Sequence, residues 1–274
     1  VGIYEQDVSQ ALQALAKDNG LVCGVLYNRR ASEVFRFVKN YVSSGNIGEM
    51  VRSTWIITNL YRTAAYYKSC TWRGSWEQEG GGILMTQASH QLDLMQWICG
   101  MPSEIFARIS TVNREIEVEN EAELLLTYPN GAHGHFITSA HESPGTNILE
   151  ICGTKGKISV TDDRDVRVHR LDADERLFSR DCPNPFEQVP GTAETIALSE
   201  SDNAAQHAAT IRNFIDTILG KAEVLCTLRD GLNSLQMIHG AYLSHWLKKP
   251  VALPAAESAF REQLMHRLSD RSSC

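Results

Sequence analysis

Apolar and polar residues alternate at helical spacing near the start of the chain. Val8, Leu12, Leu15 and Ala16 follow i, i+4, i+7 and i+8, and Asn19-Gly20 supplies a stop, which predicts an amphipathic helix. The run LVCGVLYNRR then has the apolar density of a short buried strand. Ser32 stands where it can cap a further helix that carries Val34, Phe35, Val38 and Tyr41 and stops near Gly45. Helix, strand, helix is an α/β pattern. A lone parallel strand cannot bury both faces, so residues 1–46 read as the tail of a larger parallel sheet.

The pattern changes after residue 46. Residues 47–59 alternate loosely and are rich in β-formers, as a first strand of a second domain would be. Residues 61–82 are irregular and include the aromatics Tyr66, Tyr67, Trp72 and Trp76. A long aromatic loop of this kind favours function. Gly80, Gly81 and Gly82 close it, and a glycine triplet is unfavourable unless the backbone needs positive φ or close approach. An apolar run follows, with Leu84, Met85, Leu92, Leu94, Met95 and Trp97, and reads as a buried helix carrying His90 and Asp93. From Pro102 short β-runs alternate with turns, including Pro129-Asn130-Gly131 and the pair Gly153 and Gly156. No helices intervene, which predicts an antiparallel, meander-like sheet with one face packed and one available.

Residues 164–197 are polar and contain prolines, and read as a surface excursion. Helices are predicted over 203–219, with Ala208, Ile211, Phe214, Ile215 and Ile218 on one face, and over 228–247. Residues 251–254 form a short exit, and the remaining residues to 274 a helix that frays. The fold class is thus α/β plus α+β. The end of a Rossmann-type domain (1–46) leads into a predominantly antiparallel open-sheet domain with flanking helices (47–254), then a tail (255–274).

Composition narrows the function classes. The chain of 274 residues has 43% hydrophobic and 22% charged residues and a formal charge of -7, which disfavours nucleic acid or an anionic membrane surface as partner. No apolar run reaches membrane-span length, and no secretory signal opens the sequence. The seven cysteines are odd in number, widely spaced and without C-x-x-C. Disulfide frameworks and structural zinc are therefore poorly supported, and a reducing cytoplasm is the expected compartment.

Several motifs then occur in order. They are Gly45-Asn46-Ile47-Gly48-Glu49, Trp72-Arg73-Gly74 followed by Glu79-Gly80-Gly81-Gly82, His90-Gln91-Leu92-Asp93-Leu94, Gly100-Met101-Pro102, Phe214-Ile215-Asp216 and Val251-Ala252-Leu253-Pro254. Each is weak alone, but their order and spacing resemble the Gfo/Idh/MocA oxidoreductases, NAD(P)-dependent enzymes acting mostly on sugars and cyclitols. The resemblance implies NAD or NADP as cofactor and a sugar or cyclitol substrate. It also implies a homodimer or homotetramer formed through the open sheet. Family members begin with a Rossmann domain that carries a glycine-rich fingerprint and later a Glu-Lys-Pro whose lysine is catalytic. This sequence holds no G-x-G-x-x-G. The resemblance places its first residue just after that proline, as in a fragment or a degenerate member. Many members also carry an Asp four residues before the histidine, where Thr86 stands here, followed by Gln87. Threonine cannot act as a general base near neutral pH. A proton relay would rest on the lysine and His90, with Thr86 or Gln87 holding a sugar hydroxyl.

Within that resemblance His90 is the catalytic candidate, because a neutral imidazole can accept or relay a hydroxyl proton; the plainer alternative is a satisfied core histidine. Asp93 either orients His90 and borders the substrate, or makes a cap or interdomain ion pair. Trp72 and Arg73 are candidates to cover the nicotinamide, and Arg73 and Tyr67 to hold substrate; a surface cation–π pair is the alternative. Asn28 and Arg30 follow the predicted strand, where cofactors gather, whereas Arg29 reads as solvent-facing charge. His133 and His135 share a strand face without a third ligand, so no metal site is expected. His207 and His239 read as packing or interdomain residues. Two other readings remain: an NAD-retaining glycosidase of the same family, and a non-catalytic sugar sensor or scaffold. Sequencing the gene upstream of Val1 separates the last from the enzymes. The enzyme readings expect Glu-Lys-Pro directly before Val1 and a G-x-G-x-x-G roughly one small-domain length earlier. A natural start at Val1 removes them.

Overall fold

The computed structural model describes residues 12, 14–199 and 202–271. Among these, nine strands form one sheet in the order β8-β7-β6-β5-β1-β4-β3-β2-β9. The strands are β1 Met50–Ile57, β2 Glu104–Ser110, β3 Glu121–Thr127, β4 His133–Ser139, β5 Asn147–Gly153, β6 Gly156–Thr161, β7 Asp165–Leu171, β8 Gly191–Ile196 and β9 Val251–Ala252. Two meanders, β2–β4 and β5–β8, flank β1, and every pair is antiparallel except β1 with β4. The alternation read from the sequence sets the faces. Trp55 and Ile57 of β1, Phe136 of β4, Leu124 and Leu126 of β3 and Val166 and Val168 of β7 all point into the core.

The helices are α1 Glu33–Ser43, α2 Ala64–Lys68, α3 Ile83–Thr86, α4 Ser89–Cys99, α5 Glu175–Asp181, α6 Asn203–Ile218, α7 Leu228–Leu247 and α8 Glu257–Arg271. Helix α7 packs on β2 and on α4, and α4 on α1. Thr227 begins α7 with a capping box, its hydroxyl accepting from Asp230 N while the Asp230 carboxylate accepts from Thr227 N. Phe260 and Leu264 of α8 are buried against the core. No helix among the described residues is long and apolar enough to cross a membrane.

Several expectations are corrected. Residues 21–27 form no strand, and Leu21 and Leu26 are 64% and 50% exposed. A strand needs a neighbour to share its ladder, and this segment makes only isolated contacts such as Val25 N to Cys226 O at 3.0 Å. Residues 164–197 are not a loose excursion but β7, α5 and β8. Strand β8 shows no apolar alternation because it is an edge strand held by its backbone ladder to β7 while its side chains face solvent. The helical run after Gly82 breaks into α3 and α4 at Gln87-Ala88. Ser32 stands at the N-cap of α1 but its hydroxyl makes no capping bond. The apolar stripe of α6 is half-exposed at Ile211, Ile215 and Ile218. Of the first predicted helix, residues 14–18 are helical and Val8 lies outside the described residues.

One buried ion pair ties the 3-10 turn after Tyr27 to helix α4. Arg30 lies in a 3-10 turn, Asn28–Ala31, and is 1% exposed. Its Nε and Nη2 donate to the two oxygens of Asp93, both at 2.7 Å, and Asp93 on α4 is fully buried. Asp93 also accepts from Gln96 Nε2 at 3.1 Å and Ser234 Oγ at 3.2 Å. Arg30 Nη1 reaches Asp230 at 3.3 Å and Leu225 O at 3.3 Å. Burial pushes the Asp93 carboxyl up, and the Arg30 guanidinium opposes it. Removing one partner strands a charge in the core. Arg30→Leu is therefore expected to lower the unfolding free energy by about 3–5 kcal/mol in urea titrations, and Arg30→Leu with Asp93→Leu to recover most of that loss. A single-variant loss below about 1 kcal/mol would show that the pair is not sealed.

Candidate functional site

The site is built around the short helix α3. The first N–H groups of a helix have no partner within it, and here one residue accepts from Gly82, Ile83 and Leu84. The Glu119 carboxylate accepts from Gly82 N and Leu84 N, each at 3.0 Å, and its backbone carbonyl accepts from Ile83 N at 3.0 Å. Tyr242 on α7 donates to the same carboxylate at 2.8 Å. This contact explains the glycine. A Cβ on Gly82 would lie 1.8 Å from Glu119 O. Glu119 is 3% exposed, and burial pushes its carboxyl up to about 7 against the hydrogen bonds it accepts.

Helix α3 thereby presents Thr86 and Gln87, and α4 presents His90 one turn on. These three form one wall of a cavity of about 610 Å³. The opposite walls are Asn28 and Arg29 of the 3-10 turn, Asn203, Gln206 and His207 of α6, and Asp163 and Arg164 between β6 and β7. Asn28 Nδ2 donates to Asn203 Oδ1 at 2.7 Å, which docks α6 against the turn. Arg29 pairs with Asp163, whose other oxygen accepts from Asn147 Nδ2 at 2.8 Å. Thr86 Oγ1 donates back to Gly82 O at 2.8 Å, and Gln87 Nε2 donates to Tyr66 Oη at 3.0 Å. His90 packs edge-on against Tyr27 at 5.4 Å, and its Nδ1 is buried without a hydrogen-bond partner among the described residues. Burial, with Arg29 and His207 nearby, lowers its pKa to about 4, so the imidazole is neutral at pH 7. A neutral ring with an open nitrogen can accept a hydrogen bond or pass a proton on.

Of the residues expected at the site, Asn28, Thr86, Gln87 and His90 come together. Asp93 does not meet His90, and neither it nor Arg30 faces the cavity, because each seals the other in the core. Tyr67 and Arg73 line a separate hollow of about 510 Å³. Trp72 is 41% exposed and packs on Arg73, its ring centre 4.3 Å from the guanidinium. Arg29 is on the cavity wall rather than free in solvent, and His207 is on it rather than in packing. His239 is buried against Phe260, their ring centres 3.8 Å apart. His133 and His135 stay on the open face of the sheet, and no three metal-ligating side chains cluster among the described residues. The sequence held one unread signal for the α6 wall. Asn203, Gln206 and His207 stand at i, i+3 and i+4, one polar face in the first turn of an otherwise apolar-striped helix.

Glu119 makes a pH prediction. A carboxyl raised from 4.5 in the unfolded chain to about 7 in the fold binds its proton more tightly when folded. Its contribution to stability is complete below pH 4.5 and is lost as pH rises through 7. At about 1.4 kcal/mol per pKa unit the effect is on the order of 3 kcal/mol. Urea midpoints at pH 4.5 and 7.5 should therefore fall more for the wild type than for Glu119→Gln. Equal slopes would mean that Glu119 does not titrate in this range.

Comparison with known proteins agrees with the architecture. The family described as "Oxidoreductase family, C-terminal alpha/beta domain" matches residues 39–253. The putative oxidoreductase YteT of Bacillus subtilis (strain 168) is 36% identical over 105 residues, 37% of this chain and 23% of that protein. Levoglucosan dehydrogenase of Pseudarthrobacter phenanthrenivorans is 25% identical over 178 residues, 55% of this chain and 45% of that protein. The chain thus spans less than half the length of either relative. Among solved structures, the WlbA dehydrogenase from Bordetella pertussis, in complex with NADH and UDP-GlcNAcA, superposes with a TM-score of 0.71 at 23% identity, over 92% of this chain and 70% of that one. The motifs, the sheet with its flanking helices and the match over residues 39–253 agree: the chain belongs to the Gfo/Idh/MocA oxidoreductase family, as its C-terminal alpha/beta domain.

Proposed function

We propose that this chain is the substrate-holding part of an NAD(P)-dependent oxidoreductase that acts on a sugar or cyclitol hydroxyl or ketone. The observation that carries the reading is the neutral His90 with its open Nδ1 in a polar cavity, flanked by the amide of Gln87 and the hydroxyl of Thr86. Amides and hydroxyls match the donors and acceptors of a polyol, and an uncharged imidazole suits proton relay. Structural relatives support the class. The levoglucosan dehydrogenase structures hold NADH with L-sorbose or with levoglucosan, and the WlbA structure holds NADH with UDP-GlcNAcA.

The described residues fit one end of a nicotinamide cofactor. Asn28 lies on the same cavity as the orphaned His90 nitrogen, whereas Arg30 is sealed, Arg73 borders the other hollow and Trp72 packs on Arg73. The nicotinamide supplies the hydride acceptor when bound. The chain's own task is to hold the alcohol and move its proton. Thr86 and Gln87 orient hydroxyls, and His90 relays the proton because its lowered pKa prevents it from storing one. The remainder of a dinucleotide-binding domain would seat on the apolar surface at Leu26, Ile211 and Phe214, which line one hollow. On the open face of the sheet, Phe106 and Leu125 are cross-strand neighbours, and Ile137, Ile56 and Ile148 form a second apolar row. That face is the proposed homo-oligomer surface.

The test uses the full-length form, assayed for nicotinamide reduction across a panel of sugars and cyclitols. His90→Ala is expected to lower turnover by about 10²-fold or more with NAD binding nearly intact. Unchanged turnover removes the role of His90. Tightly retained NAD without net turnover of added NAD moves the reading to the glycosidase.

A further inference from the structure

The second hollow carries its own chemistry. It lies between α2 and the loop over residues 111–120 that joins β2 to β3, with a volume of about 510 Å³. Lys68, Arg73 and Arg114 line it, against Glu115 alone among the acids on its wall. Glu115 is 93% exposed at its side chain and touches Lys68 only at 4.0 Å. Glu79, the buried acid of the Arg73 loop, accepts from Gly74 N; burial pushes its carboxyl up, and the charge of Arg73 opposes that shift. The three cations outnumber Glu115 and Glu79, although Lys68 is 73% exposed at its side chain, so the hollow carries an excess of positive charge that an anion would balance.

Arg73 is held for that task. The ring centres of Tyr66 and Trp72 lie 4.2 and 4.3 Å from its guanidinium carbon, which fixes its plane. Its Nη1 donates to Tyr66 Oη. Its Nε is buried, and neither Nε nor Nη2 makes a hydrogen bond among the described residues. The Nε–Nη2 edge is the side of a guanidinium that takes two oxygens of one oxyanion in parallel. A neutral sugar hydroxyl would leave the second donor and the excess charge unmatched.

We propose that this hollow is an oxyanion subsite, in which the Nε–Nη2 edge of Arg73 binds a carboxylate or phosphate ester while Lys68 and Arg114 supply the field. The arrangement needs neither nicotinamide nor His90, so it stands or falls apart from the redox reading. Through Tyr66 Oη, which accepts from both Arg73 and Gln87, an occupied subsite also touches the wall of the first cavity.

The experiment follows the Arg73 Nε–H signal in ¹⁵N-correlated NMR spectra of the full-length form during titration with D-glucuronate, D-glucose 6-phosphate and D-glucose. No nicotinamide is present. The Arg73 signal should shift and saturate with one or both anions and stay still with glucose. Glucuronate alone identifies a carboxylate site, and glucose 6-phosphate alone a phosphate site. Arg73→Lys keeps the charge and loses the fork, and should weaken binding roughly tenfold or more by calorimetry. Lys68→Gln, an exposed change that leaves the fold alone, should weaken it less and make it less salt-sensitive. The proposal is overturned if the Arg73 signal ignores both anions, if glucose moves it equally, or if folded Arg73→Lys binds as tightly as wild type.

Discussion

The ion pair between Arg30 and Asp93 is the constraint from which the rest of the site follows. Both groups are out of water, and an isolated charge there is unfavourable by several kcal/mol. Each therefore dictates where the other faces. Asp93 must point from α4 toward the 3-10 turn, and Arg30 must point inward rather than toward a ligand. His90, three residues earlier on the same helix, is carried to the cavity beside Tyr27 and Arg29. Asp230 and Ser234 join from α7, so three elements distant in sequence share one electrostatic knot. A single pair thus fixes the seam along which the cavity opens.

Glu119 plays the matching role for α3. A four-residue helix is too short to hold itself together. It persists because one buried residue accepts from Gly82 N, Ile83 N and Leu84 N, and because Gly82 lets that residue approach. The arrangement is locally unfavourable, since it keeps a carboxylate in the core next to Tyr242. Its return is a rigid presentation of Thr86 and Gln87.

Much of this was legible from pattern alone. Strands β2 to β6 show clean alternation because one face of an antiparallel sheet is packed, α6 shows an apolar stripe at helical spacing, and α4 shows the apolar density of a buried helix. What escaped was set by neighbours. Residues 21–27 look like a strand but have no strand beside them among the described residues. Strand β8 looks like loop because its residues are polar, and pairing with β7 alone makes it a strand. Arg30 and Asp93 are ordinary charged residues in the sequence, 63 positions apart, and nothing local says that they meet.

By itself, then, the sequence determined the periodic elements, the glycine loop before α3, and the candidates Asn28, Thr86, Gln87 and His90. Those follow from local spacing and residue chemistry, which travel with the chain. The tertiary structure decided which of them share a cavity, brought His207 and Asn203 to it, and withdrew Asp93 and Arg30 from it. Burial, hydrogen-bond partners and the electrostatic surroundings of His90 and Glu119 exist only once distant segments pack together, because desolvation is a property of the assembled core and not of any one stretch.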